Sequence, residues 1–158
     1  MSAAASIEPS RLVVLCVNSE EDDRQNLAEI FRQQSWKLHF SSSIAQAKTL
    51  IPHHGYSLVI CDAALCDGTW DVLFRFVECA ERPPLFVVSS RLADERLWSE
   101  ALNLGAFDVL STPFDRHEVS HVVRCGWDSW MRSRKPAAST EEIGTAGDQR
   151  VIAASGSF

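Results

Sequence analysis

Tyr56-Ser57-Leu58-Val59-Ile60-Cys61-Asp62 is the stretch that decides the fold. Leu58 to Cys61 are apolar without interruption. A run this short and this apolar fits a strand covered on both faces, the habit of parallel sheets. It ends on a carboxylate and opens into a loop over 63–69. Open α/β sheets place their ligand sites outside the carboxyl ends of the strands, so Asp62 stands where such a sheet does its chemistry.

Arg11-Leu12-Val13-Val14-Leu15-Cys16-Val17 is a second run of the same kind and reads as a central strand. Leu27, Ile30 and Phe31 then recur at helical spacing, which gives a helix over 20–34. Ser19 is placed to cap it, and Glu20, Glu21, Asp22 and Asp23 fill its first turn. The charge run reads as a solvated helix start that suits the helix dipole. A strand over 36–40 follows. Ser43 caps a short helix carrying Ile44, Ala47, Leu50 and Ile51, ended by Pro52 and Gly55, with His53 and His54 as helix-end punctuation. After the strand over 57–61, Val72, Leu73, Phe76, Val77 and Ala80 mark one stripe of a third helix. Pro83-Pro84 introduces a strand over 85–89. A helix over 93–104 stops at Gly105, a good C-cap, and a strand over 107–110 follows. A last helix over 115–132 turns Val119, Val122, Val123, Trp127 and Trp130 inward.

Five strands alternating with five helices imply βαβ units and a parallel sheet. Right-handed crossovers leave few topologies. The expectation is an α/β, doubly wound, flavodoxin-like (βα)5 fold with a five-stranded parallel sheet in the order 2-1-3-4-5. Strands one and three are then neighbours, and the loops after Val17 and Asp62 face each other. The domain is expected over 11–134, with a loose leader over 1–10 and a disordered tail over 135–158.

Composition excludes several functions. The 158 residues suffice for one domain with one core. A formal net charge of -6 argues against a nucleic-acid surface, which needs clustered Lys and Arg. No apolar stretch approaches the ~20 residues of a membrane span. The N-terminus lacks the basic and apolar regions of a secretory signal. Cys16, Cys61, Cys66, Cys79 and Cys125 are odd in number and form no CxxC pair, so a reducing, cytoplasmic setting is expected. Cys61 reads as a small apolar packing residue. Cys66 lies in the exposed loop with nothing near it to activate it. His117 and His121 stand i, i+4 on the last helix, a spacing that can bind Zn²⁺, but without a third ligand they read as a surface pair. Trp70 and Trp98 default to core packing, with a partner surface as the other reading.

The order and spacing of several local patterns carry a resemblance. LVVLCVNSEEDDR (12–24), YSLVICDAALCDGTWDVL (56–73), LFVVSS (85–90) and LGAFDVLSTPF (104–114) together resemble the receiver domain of bacterial response regulators over about residues 10–132. The resemblance implies that Asp62 is the phosphoacceptor and that Cys66-Asp67-Gly68 is the loop after it. It implies that Ser89 is the hydroxyl residue ending strand four, and that Pro113-Phe114 follows strand five. It also implies a Mg²⁺ site.

The departures bear on function. Receivers carry an acidic pair after strand one, and those positions here are Asn18 and Ser19. The resemblance leaves Asn18, Asp62, the backbone carbonyl of Ala64 and Glu20 as candidate ligands of a weak Mg²⁺ site. The lysine that pairs with the phosphoryl group is replaced by Thr112, which brings no charge, and the aromatic switch position is Val109. Phosphoryl transfer depends on positioning and charge neutralisation, so these substitutions imply weak or no phosphorylation of Asp62.

The reading is therefore a receiver-like signalling module acting through protein contacts, not an enzyme. The alternative is a working stand-alone response regulator, phosphorylated on Asp62 by a histidine kinase. The family's output and dimer face, helix four to helix five, would carry Trp98, Val109, His117 and His121. An aspartate-nucleophile phosphatase would need a second carboxylate where Ala64 stands, and a nucleotide binder would need glycines that the first loop lacks.

Overall fold

The computed structural model describes residues 12–134. The expected leader over 1–10 and tail over 135–158 lie outside the described residues. The chain divides into two compact units at Asp128, and of the second only residues 129–134 are described, as the end of the last helix.

Strand β1 spans Val13–Val17, helix α1 Glu21–Gln34, β2 Lys37–Ser41 and α2 Ile44–Leu50, extended by a 3₁₀ turn over Ile51–His53. Strand β3 spans Leu58–Asp62, α3 Trp70–Glu78, β4 Leu85–Ser90, α4 Glu95–Leu104, β5 Asp108–Ser111 and α5 Arg116–Arg134. The strands pair in parallel in the order β2-β1-β3-β4-β5, as expected. A short antiparallel ladder, Ala64–Leu65 with Gly68–Thr69, closes the loop after β3.

The period of two along the strands divides the core. Leu15, Val17, Val59, Cys61, Phe86, Val88 and Val109 pack with Ile44 and Ala47 of α2, Trp70, Leu73, Phe74 and Val77 of α3, and Ala101 of α4. Val14, Cys16, Leu58, Ile60, Val87 and Leu110 pack with Leu27, Ile30 and Phe31 of α1 and Val119, Val122 and Val123 of α5. Each fully buried aliphatic side chain contributes about 1.5–3 kcal/mol of transfer free energy.

Local chemistry explains most helix ends. Ser43 Oγ accepts from Gln46 N–H at 3.1 Å, and Asp67 carboxylate oxygens accept from Ile44 and Ala45 N–H at 3.0 Å each. Those two bonds hold the Asp67 carboxyl below the usual carboxylate range. Asp94 caps α4, and Gly105 ends it at φ 117, a conformation that favours glycine. Gly126 answers a different need: a Cβ there would meet Leu58 Cδ1 at 3.0 Å, so its absence lets α5 approach the sheet.

Two expectations are corrected. The buried stripe of α3 is Trp70, Leu73, Phe74 and Val77, while Val72 and Ala80 are exposed. The helix starts at Trp70, and that ring, Phe74 and Phe86 pack edge-on or tilted with centroids 5.3–6.1 Å apart, which sets the helix's rotation. Ser19 is not the cap of α1. Glu20 holds the N-cap position without a side-chain bond, and Asn18 Oδ1 accepts its N–H at 2.7 Å.

Candidate functional site

Parallel register brings the strand ends together. Val17 pairs with Cys61, so Asn18 and Asp62 leave their strands at the same level. Asp62 pairs with Ser89, and Ser90 with Ser111, which sets Thr112 beside the same edge. Ala63 N–H donates to Ser89 O at 2.7 Å, Asn18 N–H to Ser41 O at 2.9 Å and Thr112 N–H to Ser90 O at 3.0 Å. Ser89 Oγ donates to Asp62 Oδ1 at 3.4 Å. The Thr112–Pro113 peptide is cis.

The electrostatics centre on two carboxylates. The Asp62 carboxyl is pushed from 3.8 up to about 6, first by burial and then by the charge of Asp23. Ser89, the Ala63 N–H and Arg91 pull it back only in part. Asp23 is buried, at 4% exposure, and its Oδ2 lies 3.9 Å from Arg91 Nη2. This corrects the reading of the charge run as wholly solvated. Glu20, Glu21 and Asp22 are exposed, but Asp23 stands four residues before Leu27 on the inward stripe of α1. That spacing was a signal in the sequence. Arg91 gave none beyond its place two residues after Ser89.

Three polar side-chain atoms in or near the site are buried without a hydrogen-bond partner: Asn18 Nδ2, Thr112 Oγ1 and Arg24 Nε. Burial also raises the thiols of Cys16 and Cys61, which removes both as nucleophiles.

Mg²⁺ needs oxygen ligands in near-octahedral geometry. Asn18 Oδ1 already accepts from Glu20 N–H, and its other terminus is a donor. Asp23 lies 3.9 Å from Arg91, which leaves Asp62 as the carboxylate at the strand ends without a cation that close among the described residues. Among the described residues, no group of three or more His, Cys, Asp or Glu is arranged to hold a metal. The donors as they stand do not fit a dedicated Mg²⁺ site.

The expected partner face is redrawn. Trp98 is 39% exposed, in keeping with that face, but Val109 is buried in the core at 2% and cannot contact a partner. A β-branched residue on a strand whose α4-facing side is covered has no route to solvent. His117 and His121 are exposed, but they line a groove with Gln33 and Gln34 of α1, not the α4 side of the last helix.

Residues 14–124 match the family model described as the response regulator receiver domain. The chain belongs to the response regulator receiver family. No curated protein matches. Solved receivers share the fold at low identity. The signal receiver domain of an HD domain-containing protein from Pseudomonas fluorescens Pf-5 superposes with a TM-score of 0.73 at 24% identity, covering 80% of this chain and 93% of that one. The beryllofluoride-activated NtrC4 receiver domain dimer gives 0.70 at 17% identity, covering 75% and 98%. The receiver domain of Saccharomyces cerevisiae Ssk1, solved with the histidine phosphotransfer protein Ypd1, gives 0.63 at 16% identity, covering 70% and 85%. Within this receiver no helix among the described residues is long and apolar enough to cross a membrane.

Proposed function

We propose that this receiver is atypical: it signals through protein contacts, with weak or absent phosphorylation of Asp62. The observation that carries the reading is the charge state of the site. The Asp62 carboxyl is pushed up to about 6, and the position of the receiver lysine holds Thr112, whose hydroxyl is buried and unpaired. Phosphoryl transfer needs cations that offset developing negative charge. Here the side-chain cation whose charge acts on Asp62, Arg91, is 61% exposed and already paired with Asp23. The reading is of a signalling module and not of an enzyme.

Its contact surface is α4 with the loop before it. The helix buries only Ala101, while Leu92, Trp98, Leu102 and Leu104 are 77%, 39%, 41% and 46% exposed. Large apolar side chains left in solvent on one helix and the loop that leads into it suit a partner or a second copy. A histidine kinase or phosphotransfer protein fits the Ssk1–Ypd1 precedent, and self-association fits the NtrC4 dimer.

A second reading, a working response regulator receiver phosphorylated by a histidine kinase, is favoured by the Asp62–Ser89 contact and by the second carboxylate of Asp23. An amide NMR titration with Mg²⁺, then Mg²⁺ plus beryllofluoride, separates the two, with Asp62→Asn as control. The atypical reading expects no shifts at millimolar Mg²⁺ and saturating beryllofluoride. Shifts confined to 17–21, 62–64 and Ser89 in the wild type alone would establish the working regulator instead.

A further inference from the structure

The outer face of α5 and the end of α1 enclose a polar groove of ≈ 530 Å³ lined by Gln33, Gln34, Arg116, His117, Ser120, His121 and Arg124. The basic groups that line it, Arg116, His117, His121 and Arg124, all come from one stripe of α5. Eight residues at 1.5 Å rise make the stripe about 12 Å long. Among the described residues, no carboxylate lines the groove. The chain as a whole is acidic, with a net charge of -6, so this stripe is a local reversal of sign.

The two arginines are held by neutral partners. Arg116 Nη1 donates to Gln33 Oε1 at 3.3 Å, and Arg124 Nη2 donates to Gln34 Oε1 at 3.0 Å. Gln34 Nε2 donates in turn to Ser120 Oγ at 3.3 Å, and the Arg124 guanidinium lies over the Trp36 ring at 5.9 Å. Among the described residues, carboxylates lie within 4.0 Å of Arg24, Arg32, Arg75 and Arg91, but not of Arg116 or Arg124. Glu118, the acidic residue of the first turn of α5, is influenced by burial, Asp115 and Asp108 instead. Each guanidinium is therefore fixed by one amide oxygen while its charge and most of its five donors stay free. Fixed, uncompensated guanidinium forks are suited to bidentate capture of carboxylates.

The geometry points to this groove as a docking site for an acidic helix of a partner protein. Carboxylates at i, i+4 and i+8 on such a helix span about 12 Å, the separation along α5 of Arg116 and Arg124, with His117 and His121 between them. This surface lies between α1 and α5, apart from the apolar residues of α4, and does not depend on the chemistry of Asp62.

The test uses the full chain and a fluorescein-labelled, alanine-based helix bearing Glu at i, i+4 and i+8, read by anisotropy at low and physiological salt. Binding is expected for wild type, weakened about tenfold or more in R116Q/R124Q. R75Q/R82Q removes the same charge from exposed positions elsewhere and should bind like wild type. R116E/R124E should instead take the matching Lys helix, which guards against a loss caused by misfolding. Equal weakening in both glutamine pairs, or no wild-type binding at millimolar peptide, would overturn the proposal. A salt-sensitive dimer lost only in R116Q/R124Q would also overturn it, by making a second copy the occupant.

Discussion

Asp23 Oδ2, on the buried face of α1, lies 3.9 Å from Arg91 Nη2, just past the end of β4. The pair unites an almost fully buried carboxylate with a guanidinium that is 61% exposed. The exposed partner is solvated, so the pair cancels the field of Asp23 only partly, and the remainder reaches Asp62. Asp23→Asn is therefore expected to bring the Asp62 carboxyl down from about 6 toward the usual range, and Arg91→Gln to push it further up. Carboxyl ¹³C titration by NMR reads both. An Asp62 midpoint that ignores Asp23→Asn would mean that burial alone sets it.

Thr112 has a hydroxyl with no hydrogen-bond partner at 6% exposure. A buried, unsatisfied polar group costs roughly 1–3 kcal/mol. Valine has nearly the same shape without that cost. Thr112→Val should raise stability by about 1 kcal/mol in urea unfolding. A loss of stability would show that the hydroxyl is bonded in solution, to water or to a ligand, and would draw attention back to the site's chemistry.

The fold was legible in the sequence because its signals are long and redundant. The uninterrupted run of Leu58 to Cys61, the inward positions Val119, Val122 and Val123, and the stop at Gly105 each agree with a neighbour's signal, and the topology follows from their alternation. Asp62 and Ser89 were legible as well, since register alone sets them side by side. Asp23 was hidden by company. Among exposed Glu20, Glu21 and Asp22 it looked like one more helix-start charge, and only its phase with Leu27 marked it as inward. The pairing with Arg91 needs two elements distant in sequence to meet, which no local pattern records. The same limit applies to His117 and His121, because the rotation of α5 about its axis decides which neighbour they face.

Val109 and Trp98 separate packing from recognition. Val109 is buried at 2% in the cluster with Phe86 and Ala101, and Trp98 is 39% exposed. Val109→Ala leaves a small cavity and should cost about 1–2 kcal/mol, with no specific effect on association. Trp98→Ala should leave the unfolding free energy within about 0.5 kcal/mol of wild type. If α4 is the contact face, Trp98→Ala weakens association measured by sedimentation or partner pull-down. A large loss of stability in Trp98→Ala would instead place that ring in the core and leave the α4 surface without its main anchor.

Asp62 makes the stability of the whole domain depend on pH. In the fold its carboxyl keeps its proton up to about 6, against 3.8 ordinarily, so between those values the native state binds more protons than the unfolded chain. Its contribution is therefore full below about pH 4 and lost as the pH rises through about 6. A shift of about two units would amount to roughly 3 kcal/mol if fully felt, and solvent near the partly buried group reduces that to about 1 kcal/mol. Asp62→Asn removes the titration. Relative to it, the wild type should lose about 1 kcal/mol between pH 4 and 7, in urea melts at fixed ionic strength. The opposite slope, with wild type gaining on Asp62→Asn as the pH rises, would mean that a cation holds the carboxylate ionised. Repeating the neutral melt with millimolar Mg²⁺ then locates that cation, because a metal bound to the native state alone restores stability in wild type and not in Asp62→Asn.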